Sequence, residues 1–168
     1  TVNNKTDIAD DTIPKLMKSS MDFTISLWFK ATGIQTLLDM EDFFKVVIDT
    51  SGGTITVGTS TNNDVYEGLS FENTDWNHLV IRNDTYQYLK DKDTNADGEL
   101  RIWLNKTDAN DTGYSHSKSI VYGNIASDTK VSIGNDTNTD IDIADLRFFM
   151  KALDNEDVAT LKNIGSLN

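Results

Sequence analysis

Residues 23–30 read FTISLWFK. Phe23, Ile25, Leu27 and Phe29 alternate with Thr24, Ser26, Trp28 and Lys30. Successive side chains of an extended chain point to opposite faces, so this spacing gathers four large apolar groups on one side of a strand. A helix would scatter them around its circumference. The stretch therefore predicts a β-strand with one core-facing side, and an all-β reading starts here.

The same signal recurs outward from it. FKVVIDT (44–50) is rich in β-branched residues and runs into the turn SGG, after which TITVGT (54–59) resumes. WNHLVIRN (76–83) and ELRIWLN (99–105) follow, then SIVYGNI (119–125), KVSIGN (130–135) and ADLRFFMKA (144–152). QTLLDMEDFF (35–44) reads as a strand ending in a turn at Met40–Asp42, with a helical turn as the alternative. Leu100, Ile102 and Leu104 alternate with Glu99, Arg101 and Trp103, and predict an inward face on that strand. Short strands separated by Asn, Asp, Gly and Ser turns predict an antiparallel sandwich rather than βαβ units. One helix is expected near the end. Asp154 is a good N-cap, Glu156 and Asp157 put acid in the first turn, and Val158 and Leu161 share a face. There is one proline, no linker tract and no internal repeat, so residues 1–168 read as a single domain. Thr1 in place of an initiator methionine is expected of a processed chain or one module of a larger protein.

Composition narrows the function. Asp and Glu number 27 against 15 Lys and Arg, a formal charge of −12. That balance argues against nucleic acid and anionic membrane surfaces, which select basic faces. No apolar run is long enough for membrane insertion. The absence of cysteine excludes disulfides, thiol catalysis and cysteine zinc sites. The triplets NDT at Asn83, Asn110 and Asn135, and NKT at Asn4 and Asn105, are formal N-glycosylation acceptors or plain turn chemistry.

The hairpin between residues 83 and 99 contains DKDTNADGEL (91–100). Asp93, Asn95 and Asp97 occupy positions 1, 3 and 5 of a calcium-loop pattern, Gly98 position 6 and Glu99 position 7. Alternate oxygen donors can close around a hard cation, and glycine allows the sharp turn. Position 12, the bidentate Glu of an EF-hand, is Leu104, and residues 100–104 read as strand. The stretch is therefore either a calcium loop grafted onto a hairpin, with Asp91 supplying a further ligand, or a solvated hairpin tip. Magnesium fits less well because it retains its waters.

Five stretches, in order, resemble the laminin-G-like members of the concanavalin A-like lectin/glucanase superfamily. MDFTISLWFK resembles their "dFTisaWvk" strand, WNHLVIRND their "WHHVavtrDg" strand and ELRIWLN their "l.lYvNG" strand. VSIGN resembles "l.iGg", and DIADLRFFMKALDNEDVATL resembles the "G.IDdvRiYnraLsdeEI..L" ending. The matches run from Met21 to Leu161. The first His of the second motif is Asn77 here, and the NG turn is Asn105-Lys106. The resemblance implies an antiparallel jelly-roll β-sandwich with one short C-terminal helix. It also implies a non-catalytic module on an extracellular, cell-surface or virion-surface protein.

Three functions remain to be separated. A recognition module would bind a glycan or surface protein, and Trp103, Tyr88 and Tyr114, or else Tyr86 or Tyr122, are candidate stacking platforms. A structural module would join other subunits of a coat, fibre or surface layer and take no small ligand. A glucan hydrolase would need paired carboxylates. Asp140, Asp142 and Asp145 offer only a misaligned set, because simple alternation sends Asp145 to the opposite face from Asp142. His78 in its strand and His116 in a loop leave little material for nucleophilic catalysis, and no enzyme is expected. The calcium reading makes its own prediction. Chelator lowers the melting temperature of the wild-type chain, and Asp93→Ala with Asp97→Ala removes that response; a thermal melt indifferent to chelator identifies a plain hairpin tip.

Overall fold

A computed structural model describes residues 6–9, 12–59, 63–72, 75–85, 99–105, 114–116, 122–123, 125, 129–134 and 141–164. The described chain forms strands β1 (Thr6–Ala9), β2 (Phe23–Ala31), β3 (Ile34–Asp39), β4 (Lys45–Asp49), β5 (Thr54–Gly58) and β6 (Asn63–Tyr66). These are followed by β7 (Asn77–Asp84), β8 (Glu99–Leu104), β9 (Tyr114–His116), β10 (Val131–Ile133) and β11 (Ile141–Phe149). Helix α1 spans Thr12–Ser20 and helix α2 spans Asn155–Ile164.

All pairings are antiparallel and make two sheets, one of six strands in the order β1-β10-β3-β4-β5-β6 and one of five in the order β11-β2-β7-β8-β9. The sheets face each other across one core. The five-stranded sheet contributes Phe23, Ile25, Leu27, Phe29, Leu79, Ile81, Leu100 and Ile102, all at most 1% exposed. The six-stranded sheet contributes Leu37, Leu38, Val46, Ile48, Ile55, Val57 and Val131. The alternation expected of β2 and β8 is thus the observed one. Leu37 and Leu38 are both buried because the β3–β4 register slips between Thr36 and Leu38, which lets two consecutive side chains face inward.

An aromatic cluster closes one end of the core. Tyr122 packs on Phe23, Phe43 and Phe44 at ring-centroid distances of 5.8, 5.5 and 5.9 Å. Next to it, Gly123 donates its N–H to the Phe43 carbonyl at 3.3 Å. A Cβ on Gly123 would stand 1.7 Å from the Asp42 carbonyl oxygen, so only glycine lets the two backbones meet here. The expected strand at 119–125 differs in its described part, since Tyr122 and Gly123 lie outside any strand. Tyr122 serves as a packing ring rather than as an exposed sugar platform.

The C-terminal helix follows its sequence signals. Asp157 N–H donates to Asp154 Oδ1 at 2.8 Å, which is the expected N-cap bond. Val158 and Leu161 are buried, against the outer side of the five-stranded sheet. The second helix, α1, is an addition to the expected single one. Pro14 sits in its first turn, where a missing N–H costs no helical bond, and Met17 reaches the core between the sheets. The short strands β1, β6 and β9 are likewise additions; three or four residues give too little alternation to be read as strands.

Among the described residues no helix is long and apolar enough to cross a membrane. Ile102→Ala should cost about 2–5 kcal/mol in a urea melt, while Ile34→Ala, at a side chain 63% exposed, should stay within about 0.5 kcal/mol. Gly123→Ala should destabilise more than any exposed Gly→Ala change. Equal melts for the isoleucine variants would contradict the facing of β8.

Candidate functional site

Helix α2 covers the outer side of the five-stranded sheet around Trp103, and a depression of about 210 Å³ opens beside it, lined by Phe149, Lys151, Leu153, Asp157, Thr160, Leu161 and Ile164. Trp103, 3% exposed, packs with Val80, Leu153, Val158 and Leu161 under α2. The Arg82 guanidinium carbon lies 5.1 Å from the centre of the Trp103 ring, and Arg82 Nη1 donates to the Leu153 carbonyl at 2.8 Å and to Asn155 Oδ1 at 3.3 Å. Trp103 therefore has no free face on which a sugar could stack. Its alternation with Glu99 and Arg101 correctly puts it on the outer side, but α2 covers that side. The ring and the cation together anchor the helix.

His78 lies on the same side. Its Nε2 is 3.0 Å from Ser26 Oγ, and its ring packs at 4.9 Å on Trp28. Burial, with Lys162 next, drives its pKa from 6.5 down to about 4, so the ring is neutral at pH 7. Asn77, Asn105 and the His78 backbone form one network. His78 N–H donates to Asn105 Oδ1 at 2.9 Å, and Asn105 N–H returns a bond to the His78 carbonyl at 2.9 Å. Asn105 Nδ2 donates to Asn77 Oδ1 at 2.9 Å. Asn105 has φ +57°, a left-handed conformation that asparagine tolerates better than most residues. Asn83 is fully buried and donates to the Met21 carbonyl. Neither Asn83 nor Asn105 is an open glycan acceptor; their amides hold the backbone.

The β11 carboxylates are arranged differently from simple alternation. The β11–β2 register slips between Ala144 and Arg147, and Asp145 takes φ +50°. This bulge returns Asp145 to the side of Asp142 instead of sending it opposite, and Asp145 Oδ1 binds Arg147 Nε at 2.6 Å. Asp145 is an ion-pair partner of Arg147, and Asp140 lies outside the described residues.

Of the expected metal set, Asp91, Asp93, Asn95 and Asp97 lie outside the described residues, as does Tyr88. Glu99 opens β8, where it is buried and its Oε1 accepts from Arg101 Nε at 2.8 Å. Tyr114 belongs to β9, paired opposite Ile102, and its side chain is not among those described. His116 stands in β9 opposite Leu100, a strand position rather than a loop. Among the described residues no three His, Cys, Asp or Glu side chains group as a metal site.

The outer side of the six-stranded sheet carries neither described helix. A shallow depression of about 280 Å³ opens there, lined by Lys45, Val47, Thr56, Gly58, Thr59 and Asn63. Strand pairing assembles it: Lys45 lies opposite Gly58 on β5, and Gly58 opposite Asn63 on β6. Gly58 has no side chain, so the row dips at its centre. Lys45 Nζ pairs with Asp39 Oδ2 at 3.0 Å and stays 40% exposed. Val65 on β6 is 46% exposed, and its register partner Thr56 continues the row inward. Hydroxyl, amide, ammonium and carboxylate groups thus stand beside Val47 and, across Thr56, Val65. That mixture matches a ligand with both hydroxyl edges and C–H faces. The sequence pattern missed this site, because its residues come from three strands and none forms a motif.

No protein-family model and no curated protein matches the sequence. Solved structures do match in fold. One is a receptor binding domain, at 13% identity and a TM-score of 0.63, covering 97% of this chain and 39% of that one. A second is the binding domain of botulinum neurotoxin DC in complex with rat synaptotagmin II, at 13% identity and a TM-score of 0.62, covering 97% of this chain and 40% of that one. A third is the same toxin's binding domain in complex with SialylT, at 14% identity and a TM-score of 0.60, covering 95% and 39%. The chain therefore spans about two fifths of the length of the structures it matches, and what it shares with them is the fold of two antiparallel sheets. Trp103→Ala should cost about 3–5 kcal/mol in a denaturant melt, the behaviour of a packed ring; a loss below about 0.5 kcal/mol would mean that α2 does not seal this face.

Proposed function

We propose that this chain is a non-catalytic recognition module of an exterior protein, built as a laminin-G-like, concanavalin A-like jelly roll, that binds a glycan or a surface receptor. The observation that carries the reading is the asymmetry of the two outer faces. One is covered by α2 over Trp103, with a smaller depression of about 210 Å³ left beside the helix, while among the described residues the other leaves the Lys45–Gly58–Asn63 row open. A rigid sandwich that covers one face and exposes a mixed polar and apolar row on the other is suited to presenting that row. The matching folds support the reading, since those structures are described as binding domains, one in complex with SialylT and one with synaptotagmin II. Catalysis gains no support from β11, where Asp145 is held by Arg147.

The site works by hydrogen bonding and shallow apolar contact. Lys45 and Asn63 would bond hydroxyl or carboxylate groups of the ligand, and Val47 and Val65 would meet its apolar face. A glycan array, followed by titration of the best ligand, tests this. Lys45→Ala with Asn63→Ala should lower affinity about ten-fold or more while leaving the melting temperature nearly unchanged, since bonds to charged or polar groups contribute about 1–3 kcal/mol. Undiminished affinity in the double variant would move the site off this face. Absence of any glycan or receptor binding, with failure of a larger assembly to form without the domain, would establish the structural module in its place.

A further inference from the structure

We propose that Asp39 sets the specificity of the open row on the six-stranded sheet, so that the row takes neutral, hydroxyl-rich glycans and rejects acidic ones. The inference rests on the recognition reading of that face and names the ligand class it selects.

Register places Asp39 in the same cross-strand row as the site. Asp39 on β3 lies opposite Lys45 on β4, Lys45 opposite Gly58 on β5, and Gly58 opposite Asn63 on β6. Lys45 lines the depression, and its Nζ stands 3.0 Å from Asp39 Oδ2. The carboxylate is fixed through its other oxygen as well, because Asp39 Oδ1 accepts from Glu41 N–H at 2.8 Å. The Asp39 side chain is 15% exposed against 40% for Lys45. The acid therefore stays in place, and the ammonium is the part that meets a ligand.

This pairing decides what Lys45 can hold. A hydroxyl both donates and accepts, so it can accept from the Lys45 ammonium and give its own proton to Asp39 Oδ2. A ligand carboxylate only accepts, and it would share one ammonium with a carboxylate already there. Two oxygens bonded to one ammonium lie about 5 Å apart, and like charges at that distance weaken binding about four-fold even at the dielectric constant of water.

No second cation stands on these strands. Lys45 is the one cationic residue of β3 to β6, which also carry Asp39, Asp49 and Asp64. Alternation along β4 puts Asp49 on the same side as Lys45 and Val47. The whole chain has a formal charge of −12, so the far field adds to the local one. The rest of the depression suits an uncharged sugar. Val47 can take a C–H face over the dip at Gly58, and the Thr56 hydroxyl and Asn63 amide can bond hydroxyls.

An array that sets neutral glycans beside their sialylated and sulfated derivatives tests this in the intact chain. Neutral members should bind, and each acidic derivative should bind about four-fold or more weakly than its neutral parent. Esterifying the carboxylate of a sialylated member should recover most of that loss, a readout that survives if a variant fails to fold. Asp39→Asn keeps an acceptor for the Glu41 N–H and removes the charge, so it should raise the affinity for sialylated members about four-fold or more. Acidic members that bind the wild-type chain as tightly as their neutral parents overturn the inference and leave the recognition reading standing. So do esters that bind no better than the free acids, or an unchanged ranking in Asp39→Asn. An array with no bound member of either kind overturns the inference together with the glycan reading on which it rests.

Discussion

Strand β2 must bury both of its faces. It lies inside the five-stranded sheet between β11 and β7, so neither edge is free, and seven of its first seven residues are buried. Its even face holds Thr24, Ser26 and Trp28, and both hydroxyls find hydrogen-bond partners there. Thr24 Oγ1 donates to the Lys151 carbonyl at 3.0 Å and accepts from Leu153 N–H at 3.0 Å. Ser26 meets His78, and Trp28 stacks on it. The odd face supplies Phe23, Ile25, Leu27 and Phe29 to the core. The segment leading from β11 into α2 is therefore bound to β2 by backbone groups, and the helix follows it onto Trp103.

This constraint separates the two sides of the molecule. Covering the outer side of the five-stranded sheet creates a dry layer, and polar groups inside it carry shifted chemistry. His78 loses its usual basicity there, Arg82 spends its charge on a tryptophan ring and two carbonyl-type oxygens, and the asparagines at 77, 83 and 105 satisfy backbone groups. The six-stranded sheet needs no such layer. On its outer side Lys45 pairs with Asp39, and Asn63 Nδ2 donates to the Thr59 carbonyl. A surface that need not be covered is a surface on which a ligand can compete.

The strongly alternating strands were readable one at a time. β2, β7 and β8 each have enough length and contrast to fix which residues face inward, and Asp154 with Val158 and Leu161 marked the last helix. Helix α1 was hidden because TIPKLMKSS has a proline and few apolar residues. The candidate platforms show the limit from the other side. Trp103 has the composition of a sugar platform, and alternation puts it on the outer side, but no local feature says that a helix fifty residues later lies over it. Tyr122 falls in a stretch whose pattern reads as a strand, yet it lies outside any strand and among three phenylalanines.

What the sequence determined by itself is therefore the set of faces: the period of two in each long strand, the acidic surface, the absence of thiol chemistry and the helix signals after Asp154. These depend only on near neighbours along the chain. The tertiary structure decided which faces meet, that β11 bulges at Asp145, that α2 seals one sheet, and that Lys45, Gly58 and Asn63 line up across three strands of the other. Such choices depend on register between distant segments, and a single residue of slip exchanges the two faces of a strand. The open row of the six-stranded sheet exists only after that register is set.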